Sequence, residues 1–193
     1  MTTILLARHG ETDWNREGRF QGHADPPLNA TGRAQAARLA AELAEVGLAA
    51  VYSSPLRRAI ETARVVAAAH DLAPIPLDAL REIDVGSWQG LTRAEIEPRF
   101  PDQFARWLDY EQGWADGETY EEMGQRVVAT LLELAAEHEG EQILAVTHGG
   151  PIRAAFAFAN GTSHADARRL GPRIANVFLA RFAVESGALR RLD

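Results

Sequence analysis

Cysteine is absent from the 193 residues. Its absence excludes disulfides, thiolate metal sites and any enzyme that works through a cysteine nucleophile. Basic charge is also short. The net charge of -7 argues against general nucleic-acid binding, which needs a basic face, but leaves room for a local cationic pocket. No apolar run approaches the roughly 20 residues of a membrane span, and the N-terminal apolar stretch has neither a basic flank nor a cleavage site. A cytoplasmic protein without membrane or nucleic-acid partners is therefore expected. A composition 46% hydrophobic and 24% charged suits one globular domain over residues 1–193, and neither repeats nor a dividing linker interrupt it.

The chain is organised around residues 4–15, where Ile4, Leu5, Leu6 and Ala7 run into Arg8, His9 and Gly10. This reads as a buried strand ending in a loop at the C-terminal edge of an open α/β sheet, where ligands usually sit. Residues 142–150 repeat the arrangement, with an apolar run ending in His148, Gly149 and Gly150. Two parallel strands ending alike would bring His9 and His148 to one sheet edge. Taken singly, a histidine beside a strand is more often a packed or solvated residue than a catalyst.

The remaining pattern is scaffold. Asn29 precedes a helical stretch reaching about Val46, Leu48 to Ser53 read as a strand, and Pro55 suits the first turn of the next helix. A crossover ends near 74–80. Thr119 and Glu122 have capping-box spacing before a helix with Met123, Val127, Leu131 and Leu134 on one face. Pro151 to Phe158 continue as a helix, and Asn176 to Glu185 read as a last strand at an edge. Residues 91–120 form an insertion rich in aromatics, either a cap over a pocket or a small satellite core.

Five segments, in order, resemble the histidine phosphatase superfamily, also called the phosphoglycerate mutase-like family. They are Arg8-His-Gly-Glu-Thr-Asp-Trp-Asn15, Ser54-Pro-Leu-Arg-Arg-Ala59, Leu80-Arg-Glu-Ile-Asp-Val-Gly86 through Gly90, Asp116-Gly-Glu-Thr119, and Thr147-His-Gly-Gly150. Pattern and resemblance together imply a three-layer α/β/α sandwich with a mostly parallel sheet, one antiparallel edge strand and a helical cap insertion at about 91–120. The resemblance implies that His9 is the nucleophile, that Arg8 and Arg58 hold phosphate, and that His148 hydrogen-bonds the transferring group. It makes Glu82 the general acid, with Asp84 as a backup. Asn15, Gln21, Gly22 and Gly149 would line the phosphate site; plain turn roles stay open for Gln21 and Gly22.

The expected activity is a metal-independent phosphomonoesterase that passes through a phosphohistidine and needs no cofactor. Phosphoryl transfer needs in-line positioning and charge cancellation, and guanidinium forks suit that work. Neighbouring guanidiniums should keep His9 neutral, with His148 carrying the proton once the anion is bound. The pattern has no His-Glu-x-x-His and no paired histidines at one-turn spacing beside an acid. A cofactor-dependent mutase and a non-catalytic phosphate-binding module are the alternatives. The mutases of the family carry an arginine and a tyrosine where this chain has Ile83 and Val85. The insertion holds three arginines against seven acids, which favours a small ester with a neutral or partly apolar leaving group stacked on cap aromatics. His23 is a candidate for substrate contact, while His70, His138 and His164 read as surface or capping residues and Arg153 as a helix anchor. The partner is a small-molecule phosphate ester, and a homodimer is left open.

Overall fold

The computed structural model describes residues 1–185 and 187–192. Four strands run parallel: β1 (Thr2–Arg8), β2 (Ala50–Ser53), β3 (Pro74–Pro76) and β4 (Gln142–Thr147). They continue into a hairpin of β5 (Leu179–Glu185) and β6 (Ala188–Arg191), in the spatial order β3-β2-β4-β1-β5-β6. The expected antiparallel strand is β5, paired with β1. It begins at Leu179 rather than Asn176, and β6 covers its outer side. The strand at 188–191 has no counterpart in the sequence pattern, because with only Leu189 of its four residues buried it shows no alternation. β3 closes the other edge, where two prolines lose no ladder hydrogen bond.

Alternation along β1 and β4 explains the layers. Ile4, Leu6, Ile143 and Ala145 face one side, toward α6 (Tyr120–Glu137) and α7 (Gly149–Asn160). Leu5, Ala7, Leu144 and Val146 face the other, toward α2 (Ala30–Leu43) and α3 (Arg57–Ala68). Residues pointing to both faces must be apolar when helices cover both, so these strands read as unbroken hydrophobic runs.

The short α1 (Asp13–Glu17) lies in the loop after β1, and α8 (His164–Leu170) follows α7. In the insertion, α4 (Arg93–Arg99) accommodates Pro98 in its last turn and α5 (Pro101–Leu108) starts on Pro101. Trp88, Phe104 and Trp114 are buried and continuous with the core on the α6 side, so the insertion's aromatics are no separate satellite. Pro55 precedes the first turn of α3, because Leu56 takes the N-cap position. Among the described residues no helix is long and apolar enough to cross a membrane.

Candidate active site

Register builds the centre. Arg8 of β1 pairs with Thr147 of β4, and the His9 N–H donates to the Thr147 carbonyl at 3.0 Å. The next residues therefore bring His9 and His148 together, with ring centroids 5.1 Å apart and planes inclined by 59°. Both rings are buried, His9 at 2% exposure and His148 at 0%. The Gly10 N–H donates to Thr62 Oγ1, and Thr62 Oγ1 donates to the Arg58 carbonyl. The loop after β1 is thereby pinned to the start of α3, which carries Arg58.

His9 Nδ1 lies 2.6 Å from the Gly10 carbonyl. A carbonyl only accepts, so Nδ1 bears the hydrogen and Nε2 keeps its lone pair. Burial first, then the charges of Arg58 and Arg8, push His9 well below its ordinary value of 6.5. A neutral imidazole with one free lone pair is a nucleophile. Arg58 is fully buried, its Nη1 and Nη2 donating to the carbonyls of Ala24 (2.6 Å) and Gly22 (2.8 Å). Gly22 presents that carbonyl from a left-handed conformation, φ +49°, that L side chains rarely adopt. Burial pulls Arg58 down to about 10, so it stays ionised near neutrality. Arg8 Nη1 donates to the Ile174 carbonyl at 2.7 Å. The Nε atoms of Arg8 and Arg58 are buried and have no hydrogen-bond partner, and neither does His148 Nδ1. These orphaned polar atoms are what an anion receptor requires, since a buried donor without an acceptor is costly.

His148 Nε2 stands 2.8 Å from Ser54 Oγ. Ser54 Oγ already accepts from the Leu56 N–H, so its own hydrogen can go to Nε2, leaving Nδ1 as an N–H donor. Burial, then Arg58, His9 and Arg8, hold His148 well below 6.5. In the free site both imidazoles are therefore held neutral, and the expected proton on His148 belongs to the anion-bound state.

Both histidines have folded values below the unfolded 6.5, so the unfolded chain takes up protons first as pH falls. Their stabilising contribution is complete above 6.5 and is lost below it, at up to about 1.4 kcal/mol per pH unit for each. Urea unfolding at pH 7.5 and 5 should show this fall, with a shallower slope in His148→Ala. Equal slopes in the two proteins would contradict the neutral pair.

Glu82 comes from the loop after β3. Its Oε1 accepts from Ile83 N–H (3.0 Å) and from Gly150 N–H (3.1 Å) in the first turn of α7. A Cβ on residue 150 would stand 2.3 Å from that oxygen, so only glycine allows the approach. Arg126 of α6 holds the loop in place. Its Nη1 donates to the Ala79 and Arg81 carbonyls and its Nη2 to those of Glu82 and the Glu118 carboxylate. Asp84, the backup acid, instead caps Gly86 through a 2.9 Å bond.

These groups line one cleft of about 860 Å³ at the C-terminal edge of the sheet. Arg8, His9, Arg58, Glu82, Asn15, Gln21 and Gly22 all border it. Asn15 Oδ1 accepts from the Thr12 N–H and from Asn176 Nδ2, and Gln21 Oε1 accepts from Thr12 Oγ1. His148 and Gly149 are buried directly behind this lining: the His148 ring lies against that of His9, and Gly149 begins α7 beside Gly150. His23 Nε2 donates to the Glu82 carbonyl, 2.8 Å away, and so steadies the Glu82 backbone.

Other positions depart from the sequence reading. His164 stacks on Tyr120 inside the cleft, 4.2 Å between centroids, and burial, then Arg168 and Arg153, push it down to about 3. His138 is bonded to the Tyr52 hydroxyl and to Glu141 rather than free in solvent. Arg153 borders the cleft instead of anchoring α7. The charge count over the insertion also misleads. Six arginines (8, 19, 58, 93, 153 and 168) border the cleft against two glutamates, 17 and 82. None of the insertion's seven acids borders it: Glu95 caps Thr92, Glu118 pairs with Arg126, and most of the others are exposed. A neutral leaving group therefore loses its argument from charge. Asn176, which donates to the His9 carbonyl, had no sequence signal beyond its place before β5.

Residues 4–193 match the model of the histidine phosphatase superfamily (branch 1). Phosphoserine phosphatase 1 of Hydrogenobacter thermophilus is 37% identical over 158 residues, 81% of this chain and 75% of its own. Among solved structures, YhfR of Bacillus stearothermophilus superposes with a TM-score of 0.91 at 34% identity, covering 99% of this chain and 95% of its own. A mycobacterial glucosyl-3-phosphoglycerate phosphatase complexed with VO3 superposes with a TM-score of 0.87 at 29% identity, covering 98% and 96%. The paired histidines, the buried arginines and the sheet order agree with these matches: this chain belongs to branch 1 of the histidine phosphatase superfamily and is a phosphatase-type member of it.

Proposed function

We propose that the protein is a metal-independent phosphomonoesterase that works through a phosphohistidine on a small phosphorylated metabolite, with residues 1–193 acting as one domain. The observation that carries this reading is the His9 tautomer: Nδ1 is committed to the Gly10 carbonyl, so Nε2 keeps its lone pair, in the field of Arg58 and Arg8. Nε2 attacks phosphorus, the bond from phosphorus to the ester oxygen breaks, and the Glu82 proton passes to the departing oxygen. Glu82, now a carboxylate, takes a proton from water as that water attacks phosphorus. The N–P bond breaks, inorganic phosphate leaves, and the lone pair returns to His9. Arg8, Arg58 and the His148 Nδ1–H bear the charge on the equatorial oxygens in both steps.

Among the described residues no three of His, Asp or Glu cluster so as to hold a metal ion. Hydrolysis is favoured over mutase chemistry because Ile83 and Val85 present only apolar surface to the cleft. Two of the relatives named above are phosphatases, of phosphoserine and of glucosyl-3-phosphoglycerate, which supports a small ester. The test is a panel of phosphoserine, sugar phosphates, nucleotides, ribazole phosphate and 3-phosphoglycerate, run with a chelator and with His9→Ala as control. Release of inorganic phosphate that resists the chelator and requires His9 is expected. Isomerisation of 3-phosphoglycerate faster than hydrolysis of any ester would overturn the assignment.

A further inference from the structure

Most arginines of this site can be accounted for by what they hold. Arg126 braces the Glu82 loop, Arg58 and Arg8 each grip loop carbonyls, and Arg168 donates to the Trp107 and Glu111 carbonyls and to the Tyr120 hydroxyl. Arg153 differs. It is half-buried at the start of the second turn of α7 and borders the cleft, its Nε is sealed from solvent without a partner, and it makes no hydrogen bond or ion pair with any described residue. Desolvating a guanidinium without pairing it is unfavourable. A helix anchor would have found an acceptor, as Arg126 did. Beside it, His164 turns a buried, unpartnered Nδ1 while its ring lies flat on Tyr120.

We propose that Arg153 and His164 form a second anion site in the cleft, which takes a carboxylate on the leaving group of the substrate. This rests on the phosphatase reading above and specifies its substrate class. Charge decides for a monoanion: Arg153 supplies one positive charge, His164 is a neutral hydrogen-bonding partner, and Arg168 is committed to the cap. Position decides for a short spacer. A Cβ on Gly149 would lie 3.4 Å from Arg153 Nη1 and 4.0 Å from Glu82 Oε2, so both groups face the same small volume. The ester oxygen that Glu82 protonates and the carboxylate that Arg153 binds then belong to one compact acid of two or three carbons. Tyr120, fixed by Arg168, forms the floor under His164.

The test compares 3-phosphoglycerate with glycerol 3-phosphate, which carry a carboxylate or a hydroxymethyl group on otherwise equivalent leaving alcohols. The ratio of their kcat/KM values in the unaltered protein should be about 50, the size expected of a charge-assisted hydrogen-bonded pair. It should approach unity in Arg153→Gln, recover in part in Arg153→Lys, and fall severalfold in His164→Phe, which keeps the ring stack and removes Nδ1. A ratio near unity in the unaltered protein, an unchanged ratio in Arg153→Gln, or parallel loss of both substrates there would overturn the proposal. Hydrolysis of p-nitrophenyl phosphate that depends on His9 but shows no such ratio sinks the anion site alone. If no ester is hydrolysed, the phosphatase reading fails instead. Calorimetric binding of the same two compounds to the His9→Ala protein then decides the anion site, with equal affinities counting against it.

Discussion

The His9→Ala protein is expected to lose on the order of 10⁵ in kcat, the scale seen when a nucleophile is removed from a set of groups that act as a unit. The reason lies in how much of the site is arranged around one lone pair. The Gly10 carbonyl fixes the tautomer, burial and two guanidiniums keep the ring neutral, and the Asn176 side chain holds the His9 backbone carbonyl. A water molecule in place of the imidazole is neither held in line nor deprotonated. What survives is the electrostatic stabilisation that Arg8, Arg58 and His148 offer any phosphate. Steady-state rates at saturating p-nitrophenyl phosphate measure the loss directly. A drop of less than about tenfold would mean that water attacks phosphorus without the imidazole.

Glu82→Gln should separate the two chemical steps. The amide oxygen can still accept from the Ile83 and Gly150 N–H groups, so the loop keeps its shape, but the side chain no longer moves a proton. For alkyl esters, whose departing oxygen needs that proton, kcat should fall by about 10³. p-Nitrophenolate leaves without protonation, so phosphorylation of His9 proceeds and the failure moves to the attack of water. The expected signature is a burst of p-nitrophenol equal to the enzyme present, followed by slow turnover. Equal losses for both kinds of ester with no burst would assign the proton transfers to another group.

Much of this was legible in the sequence because the chemistry sits at ends of strands. Four apolar residues running into Arg8 and His9, matched by the run into His148, determine which sheet edge the rings share, and parallel pairing does the rest. Glu82 and Arg58 were legible only through the resemblance to the family: by local pattern a glutamate after a strand reads as a solvated residue, and Arg57 and Arg58 are equal candidates at the start of one helix. Arg153 and His164 were not legible. A side chain on α7 or α8 reaches the cleft only because α8 docks against the cap through Arg168, which no local spacing encodes. The charge of the insertion misled for the same reason. Three arginines against seven acids says nothing about partition, and folding turned Arg93 into the cleft while Glu95 and Glu118 were taken up in a helix cap and an ion pair. The hairpin strand β6 escaped because it is an edge with a single buried side chain, a pattern that gives no period.

The central claim is that phosphorus becomes bonded to one particular nitrogen, Nε2 of His9. Mixing the protein with a ³²P-labelled ester, quenching in alkali, where a phosphoramidate survives, and locating the label by peptide mass measures that claim most directly. The account predicts label on His9 alone, approaching one phosphate per chain in Glu82→Gln. Steady hydrolysis with no label on His9, or with the label on any other residue, would contradict it.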